Sequence, residues 1–272
     1  MRKSLLTIFL TFLTCLCIQN SVFANVIKFA QVTDVHYDNK SSYPADVLKK
    51  MVQDINKQKD ISFVVFTGDN ISSPKPEYLK DFIKIIQKLD VPYYIVIGNH
   101  DVFRSGGLSK EQYFEIIKEY SPFYKYKKPN YVFKKNGFVF IVVDGAKEII
   151  PGTIGYYREE TLSWLEKQLK KYKKSPVVIL QHYPIVEPKI LKSHETYKKE
   201  DYLKRLDKYD NVVAVISGHY HYNGENMRNG VYHISSPTLL ELPNYYKIIE
   251  ISTTKGFSPL IYTELKEVGP VE

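Results

Sequence analysis

The sequence predicts an α/β fold in which helices cover a parallel β-sheet. Between residues 26 and 97, short apolar runs typical of buried strands alternate with segments whose apolar residues recur at helical spacing. This βαβαβ order favours parallel strands joined by helical crossovers. The chain has 272 residues, of which 44% are hydrophobic and 25% charged, so it can bury a substantial core.

The first part of the chain supplies three strands and two helices. We predict strands at residues 26–32, 61–66 and 93–97. Helices are predicted at residues 45–58 and 76–89, because each segment carries an apolar stripe. The first stripe consists of Val47, Leu48, Met51, Val52 and Ile55, and the second of Leu79, Phe82, Ile83 and Ile86.

The remainder is richer in strands. The predicted elements are a helix at 110–120, a hairpin of strands 131–133 and 138–143 around Lys135-Asn136-Gly137, a helix at 159–172, a strand at 177–180, a short helix at 202–208, and strands at 212–216, 231–234, 246–251 and 260–265. We find no internal repeat and no low-complexity linker, so we expect one domain over residues 25–272.

Residues 1–24 have the pattern of a secretory signal peptide. Arg2 and Lys3 form a basic start, and the apolar run at residues 5–18 is short for a bilayer span. Val22-Phe23-Ala24 resembles a cleavage site, which predicts cleavage after Ala24 and a secreted or periplasmic protein. The alternative is an uncleaved anchor, which is the only membrane association that the sequence predicts.

Both cysteines of the chain, Cys15 and Cys17, lie inside this leader. Thr14 and Leu16 are poor predecessors for a lipidated cysteine. The processed chain therefore contains no disulfide, and its stability depends on its core and on any bound metal.

The chain is basic, with a formal net charge of +8. Such a surface can attract anionic substrates or anionic lipids. However, the lysines are scattered and no arginine-rich patch is present, which argues against nucleic acid as a partner.

Polar side chains follow five of the predicted strands at the point where each strand ends. Because ligand sites in open α/β sheets lie at the carboxyl ends of the strands, we expect these side chains to converge. Five of the seven histidines belong to this set. The segments are Thr33-Asp34-Val35-His36, Thr67-Gly68-Asp69-Asn70, Gly98-Asn99-His100-Asp101, Gln181-His182-Tyr183-Pro184 and Ser217-Gly218-His219-Tyr220-His221.

These side chains have the chemistry of metal ligands. Asp and Asn offer oxygen and His offers nitrogen, a donor set that suits Mn, Fe or Zn. Asp34 and His36 are two residues apart, so in an extended segment their side chains lie on the same side, and His219 and His221 repeat this spacing. The pattern therefore predicts a metal site.

The ordered set D-x-H, G-D, G-N-H-D, H and G-H-x-H resembles the calcineurin-like metallophosphoesterase superfamily. The resemblance extends from about residue 26 to residue 237. It implies a four-layer α/β/β/α sandwich, with two mixed sheets flanked by helices, and two divalent metal ions of unknown identity in its cleft.

The resemblance also implies roles for individual residues. One metal would be held by Asp34, His36, Asp69 and His221, and the other by Asp69, Asn99, His182 and His219, so every ligand position is filled. A metal-bridging hydroxide would attack phosphorus. His100 would protonate the leaving group, and Asp101 would orient the His100 ring.

Two positions narrow the choice among the subfamilies of this superfamily. Purple acid phosphatases lack a metal-binding His in the first motif and carry a Tyr after the G-D aspartate, whereas this chain has His36 and no such Tyr. The motifs look closer to phosphodiesterases acting on cyclic nucleotides and glycerophosphodiesters. We expect a small-molecule or lipid phosphoester substrate. An exported phosphomonoesterase, a nuclease and an inactive binding scaffold are the alternatives, and the oligomeric state is open.

Other polar residues receive structural interpretations. We interpret Asp144 as a turn residue, His194 and Arg104 as solvent-exposed, and His233 as a structural residue of its strand. Two segments that follow motifs, residues 120–131 and 185–197, are expected to form the walls that set specificity.

Overall fold

The computed structural model describes residues 25–270. The signal-peptide pattern of residues 1–24, with both cysteines, lies outside the described residues, as do residues 271 and 272. The described helices are all too short or too polar to cross a bilayer.

Strands and helices alternate along the described chain as the sequence predicts. The elements are β1 Asn25–Val32, α1 Tyr43–Lys57, β2 Val64–Thr67, α2 Pro76–Ile86, β3 Tyr93–Val96, α3 Lys110–Tyr120, β4 Tyr131–Lys135, β5 Phe138–Val142, α4 Glu159–Lys171, β6 Val177–Leu180, α5 Lys199–Leu206, β7 Val212–Ser217, β8 Gly224–Arg228, β9 Val231–Ser235, β10 Tyr245–Thr253 and β11 Leu260–Glu267. A single turn of 3-10 helix covers Lys192–His194.

The strands form two sheets, each with parallel and antiparallel pairs. The first sheet has the order β11-β10-β1-β2-β3, and the second has the order β4-β5-β6-β7-β9-β8. The predicted parallel set β1-β2-β3 is confirmed, but β10 returns to pair antiparallel with β1. The predicted architecture of two mixed sheets flanked by helices is confirmed.

Alternate residues of the strands face different layers, because successive side chains of a strand point to opposite sides. In β5, Phe138, Phe140 and Val142 join the core between the two sheets. Val139 and Ile141 join the core between sheet and helices. Burial on both faces explains why the strands read as continuous apolar runs.

The helices begin where their sequences favour it. Pro residues occupy the first turns of α1 and α2, where a missing backbone N–H costs nothing. Ser109 and Gln112 form a reciprocal capping box at the start of α3. In the hairpin β4–β5, Asn136 and Gly137 both have positive φ, as a two-residue turn of type I′ requires.

The sequence analysis missed one strand and misplaced the starts of two other elements. The strand β8, Gly-Glu-Asn-Met-Arg, is an edge strand without apolar alternation, and the sequence analysis missed it. The strand β2 begins at Val64 rather than at residue 61. The helix α5 begins at Lys199 rather than at residue 202, because its first turn is polar and shows no apolar stripe.

Candidate metal centre

The structure brings all seven predicted metal ligands together at one edge of the two sheets. The segments after β1, β2 and β3 carry the ligands of the first sheet, and those after β6 and β7 carry the ligands of the second. From the first sheet come Asp34, His36, Asp69 and Asn99, and from the second come His182, His219 and His221. The predicted convergence at the carboxyl ends of the strands is therefore found.

One cluster consists of Asp34, His36 and His221, and we call it the Asp34 group. Its candidate ligand atoms all lie within 4.8 Å of one another. Nε2 of His221 lies 3.5 Å from Oδ1 of Asp34 and 3.2 Å from Nε2 of His36. Three nitrogen and oxygen atoms thus point at a common centre, as the ligands of one cation do.

A second cluster consists of Asp69, His182 and His219, and we call it the His182 group. Nε2 of His182 lies 3.3 Å from Oδ2 of Asp69 and 3.3 Å from Oδ1 of Asn99. The Asp69 carboxylate also lies 4.0 Å from Nε2 of His36. Asp69 therefore stands between the two groups, in the position of a shared ligand.

The donor atoms of these clusters fit two first-row divalent metals. Among the described residues, Oδ1 of Asp34 and Nε2 of His219 are buried and make no hydrogen bond. Such orphaned polar atoms are costly in a protein interior unless another group satisfies them. The donor set is oxygen and imidazole nitrogen only, which suits Mn, Fe or Zn.

The backbone around the site is held in an uncommon conformation. Five of the clustered residues have φ between 45° and 73°, in the left-handed region that side chains disfavour. They are Asp34, His36, Asp69, His219 and His221. Strain of this kind persists where the surrounding fold enforces it, and it concentrates at functional sites.

Two glycines make this close packing possible. A Cβ at Gly98 would collide with the Asp69 carboxylate, and one at Gly218 would collide with Thr33 and with the Asp34 carboxylate. Glycine at both positions therefore lets the turns after β3 and β7 approach ligand side chains from the first sheet.

Hydrogen bonds behind the clusters orient the side chains. Oδ2 of Asp34 accepts hydrogen bonds from the Thr33 hydroxyl at 2.7 Å and from the backbone N–H of His219 at 2.9 Å. Nδ1 of His182 donates to the carbonyl oxygen of Thr67 at 2.8 Å, which directs Nε2 at Asp69. Support of this kind orients metal-binding side chains and raises their basicity.

The carboxylates and histidines of the site perturb each other's proton affinity. Burial lowers the pKa of His182, but the neighbouring Asp69 raises it more, to about 9. For His221 burial likewise lowers the pKa, and Asp34 raises it to about 9. Burial and the charge of His182 lower the pKa of His219 to about 3. Without metal, two protonated imidazoles therefore balance the buried carboxylates.

The Asp69 carboxyl has a pKa well below its usual range. Burial raises this pKa, but the charges of His182 and His36 lower it more strongly. Asp69 also accepts a hydrogen bond from the backbone N–H of His100 at 2.8 Å. It is therefore an anion at neutral pH and is available to cations.

His100 lies at the exposed side of the clusters. Its Nδ1 lies 3.0 Å from the carbonyl oxygen of Ser72, which can only accept, so Nδ1 carries a proton. The His100 ring meets the His36 ring edge to face, with centroids 4.7 Å apart. A ring nitrogen of His100 lies within 4.8 Å of candidate ligand atoms of His36 and Asp69.

The predicted contact between Asp101 and the His100 ring is wrong. Asp101 is fully buried, and its two oxygens accept from the backbone N–H groups of Asn70, Ile71 and Gly98 and from the Asn70 side chain. Burial and the charge of Asp69 raise the pKa of Asp101 to about 7. Asp101 thus joins the turns after β2 and β3, and the Ser72 carbonyl contacts the His100 ring instead.

Two residues near the site were missed by the sequence analysis. Oε1 of Glu241 lies 2.9 Å from Nδ1 of His221, on the side opposite the cluster. The His194 ring lies 4.8 Å from the His219 ring, so the interpretation of His194 as merely exposed is wrong. Glu241 comes from an irregular loop and His194 from a single 3-10 turn, where no periodicity points to the site.

The remaining polar residues have structural partners. Asp144 pairs with Lys110, and both are largely buried. The exposed Arg104 pairs with Glu148 at 2.6 Å. His233 is buried in β9, as predicted, and burial lowers its pKa to about 4.

The chain matches one protein family over most of its length. Residues 27–223, which include all seven predicted ligands, match the family model described as calcineurin-like phosphoesterase.

Sequence relatives include proteins named as phosphodiesterases. A probable glycerophosphodiester phosphodiesterase of Arcobacter nitrofigilis is 30% identical over 203 residues, which are 70% of each chain. A probable cyclic nucleotide phosphodiesterase of Colwellia psychrerythraea is 27% identical over 203 residues, covering 72% of this chain and 71% of that one.

A solved structure shares the fold. A dimetal phosphatase from Danio rerio superposes with a TM-score of 0.67 at 17% identity, covering 86% of this chain and 98% of the other. At this identity the likeness concerns the two-sheet architecture alone.

Proposed function

The chain belongs to the calcineurin-like phosphoesterase family and is a metal-dependent phosphoester hydrolase, and we propose that it is an exported enzyme whose substrates are phosphodiesters. The observation that carries the proposal is the convergence of a complete set of oxygen and nitrogen donors from both sheets. A binding scaffold without activity has no need for such a set.

We assign two metals to this set. One would be held by Asp34, His36, Asp69 and His221, and the other by Asp69, Asn99, His182 and His219. When bound, the metals supply positive charge that polarises the phosphoryl group and lowers the pKa of water. Manganese, iron and zinc all suit the donors.

His100 is the proposed general acid. The hydrogen bond from Nδ1 to the Ser72 carbonyl fixes the ring and leaves Nε2 as the nitrogen that can carry the acid proton. From there it donates its proton to the leaving-group oxygen, which would otherwise depart as an alkoxide. The half-buried Asn99 beside it offers an amide N–H to a phosphoryl oxygen.

The names of the relatives favour a diester over a monoester. The relatives from Arcobacter and Colwellia both carry phosphodiesterase names.

We propose export from the pattern of residues 1–24 alone, which supports a location outside the cytoplasm. Expression in a bacterial host, fractionation and determination of the N-terminus test it directly. A protein that starts at Asn25 in the periplasm or medium supports export. Full-length protein in the cytoplasm contradicts it.

The activity is tested with bis-p-nitrophenyl phosphate against p-nitrophenyl phosphate, with Mn²⁺ and after chelation. We expect metal-dependent cleavage of the diester with the monoester slower. Asp69→Asn, which removes the shared ligand, should abolish both rates and serves as the control for contaminating enzymes. Preference for the monoester would indicate an exported phosphomonoesterase instead, and no metal-dependent rate on either would contradict the assignment of the site.

A further inference from the structure

Bulky apolar side chains are exposed beside the metal centre. Within the described residues, the exposed isoleucines are Ile149 at 63%, Ile150 at 76%, Ile154 at 45% and Ile190 at 94%. All four lie on the loops that follow β5 and β6. Isolated exposed apolar residues are ordinary, but a concentration of them marks an interaction surface.

The two loops form one surface because they are joined to each other. Gly155 and Thr196 form a parallel β-bridge. The Thr153 hydroxyl donates to the carbonyl oxygen of Ser193 at 2.6 Å. Two exposed tyrosines, Tyr156 and Tyr197, extend the apolar surface, with ring centroids 5.8 Å apart.

The surface borders the metal centre. His194, next to the Ser193 that contacts Thr153, packs its ring 4.8 Å from the His219 ring. On the other side, Glu148 directly precedes Ile149 and pairs with Arg104. Arg104 comes three residues after the turn that carries His100. A large ligand that covers the isoleucines would therefore also reach the mouth of the site.

The same two loops carry lysines without acidic partners. Within the described chain, no ion pair is formed by any of the four lysines Lys147, Lys189, Lys192 and Lys198. The carboxylates of Asp144, Glu148 and Glu187 are each neutralised by a cation, which leaves Glu195 as the acidic residue of the two loops without one. The surface is therefore both apolar and positively charged.

This combination matches the surface of an anionic bilayer. Apolar side chains enter the interface, tyrosines lie at its boundary, and lysines above them attract anionic headgroups. A protein partner fits the composition less well, because lysine is depleted from protein interfaces.

We propose that this isoleucine rim, Ile149, Ile150, Ile154 and Ile190 with the four lysines, docks the enzyme onto an anionic membrane, and that its substrates are phosphodiester headgroups displayed there. The proposal rests on the proposed phosphodiesterase function. It concerns a face of the folded chain, distinct from the leader.

Sedimentation with vesicles tests the docking. The protein is recovered from one exporting host, so that wild type and variants share the same N-terminus. We expect binding to vesicles of equal phosphatidylcholine and phosphatidylglycerol, weakened by salt, and little binding to phosphatidylcholine alone. The variant Ile149→Ser/Ile150→Ser should bind about tenfold more weakly. The matched control Leu260→Ser/Tyr262→Ser alters equally exposed residues of β11 and should bind like wild type.

The charge component is tested in the same way. Lys189→Glu/Lys192→Glu should weaken binding at least about tenfold, since each lysine near an anionic surface contributes roughly fivefold. Lys57→Glu/Lys59→Glu, at the far end of α1, should not. Vesicle binding by the rim variants at the wild-type level would overturn the proposal, as would equal losses of binding in the controls. A shift from oligomer to monomer in the rim variants would also overturn it, because the rim would then be a contact between copies of the chain.

Solution activity separates the two proposals. The variant Ile149→Ser/Ile150→Ser should cleave bis-p-nitrophenyl phosphate at the wild-type rate but release headgroups from vesicles several-fold more slowly. Soluble diester cleavage without vesicle binding overturns the docking alone. Vesicle binding without diester cleavage overturns the phosphodiesterase function on which the substrate assignment rests.

Discussion

Nδ1 of His221 lies 2.9 Å from Oε1 of Glu241, while Nε2 of the same ring faces the Asp34 carboxylate. Glu241 is itself two-thirds exposed, so it is held there by this contact rather than by burial. A carboxylate behind a metal-binding imidazole fixes the ring and raises its basicity.

We expect Glu241→Ala to weaken metal binding by about tenfold or more, because the His221 ring loses its orienting partner. Competition with a chromophoric chelator measures the affinity. Glu195→Ala is the matched control, since Glu195 lies on a neighbouring loop. Unchanged affinity in Glu241→Ala would show that the contact does not support the metal.

The stability of the chelated protein should fall between pH 6.5 and pH 9. The folded-state pKa values of His182 and His221 are both raised to about 9, mainly by Asp69 and Asp34. The unfolded value is about 6.5. The stabilisation is therefore complete below pH 6.5 and is lost as pH rises through 9.

Bound metal should remove this pH dependence, because it requires neutral imidazoles and displaces their protons. Thermal melts from pH 6.5 to pH 9, with and without chelator, give the comparison. A chelated protein that is equally stable across this window would contradict the assigned protonation states.

His100→Ala should slow the hydrolysis of esters with poor leaving groups far more than the hydrolysis of nitrophenyl esters. A nitrophenolate leaves without protonation, whereas an alkoxide requires a proton from the general acid, an effect of about 10²–10⁴-fold. The measurement is kcat on bis-p-nitrophenyl phosphate and on an alkyl phosphodiester. Equal losses on both substrates would exclude His100 as the acid.

Asp101→Ala should destabilise the fold by about 3 kcal/mol, since it leaves several buried N–H groups without an acceptor. The free energy of unfolding in urea measures this, with the exposed Asp90→Ala as control. The activity loss of Asp101→Ala should be the same on nitrophenyl esters and on alkyl esters. A stable variant that loses rate only on poor leaving groups would restore the orienting role that the sequence suggested.

The strand ends and their ligand-type residues could be predicted from sequence because two local signals coincide there. Apolar runs mark buried strands, and Asp, Asn or His follow at once, as in Ile97-Gly98-Asn99. The parallel order of β1, β2 and β3 then places such residues at one edge. The metal-binding roles themselves stay a prediction.

The parts that sequence reasoning missed depend on irregular backbone. His100 and Asp101 are adjacent, yet their side chains diverge. The turn directs the His100 ring to the Ser72 carbonyl and the Asp101 carboxylate to the backbone N–H of Asn70. His194 reaches His219 through a loop tied down by the bridge between Gly155 and Thr196. No periodic pattern encodes such paths.

The pairing of β1 with β10 has a consequence for how the protein is made. Asn25 pairs with Thr253, and Gln31 pairs with Lys247, so the first sheet joins segments separated by more than two hundred residues. On the ribosome, β1 has no partner on that side until residues 245–253 have been synthesised. Contacts so distant in sequence form slowly, so the first sheet closes only near the end of synthesis. Late closure of this sheet would suit the export proposed above, since a chain that is still open can be threaded through a membrane.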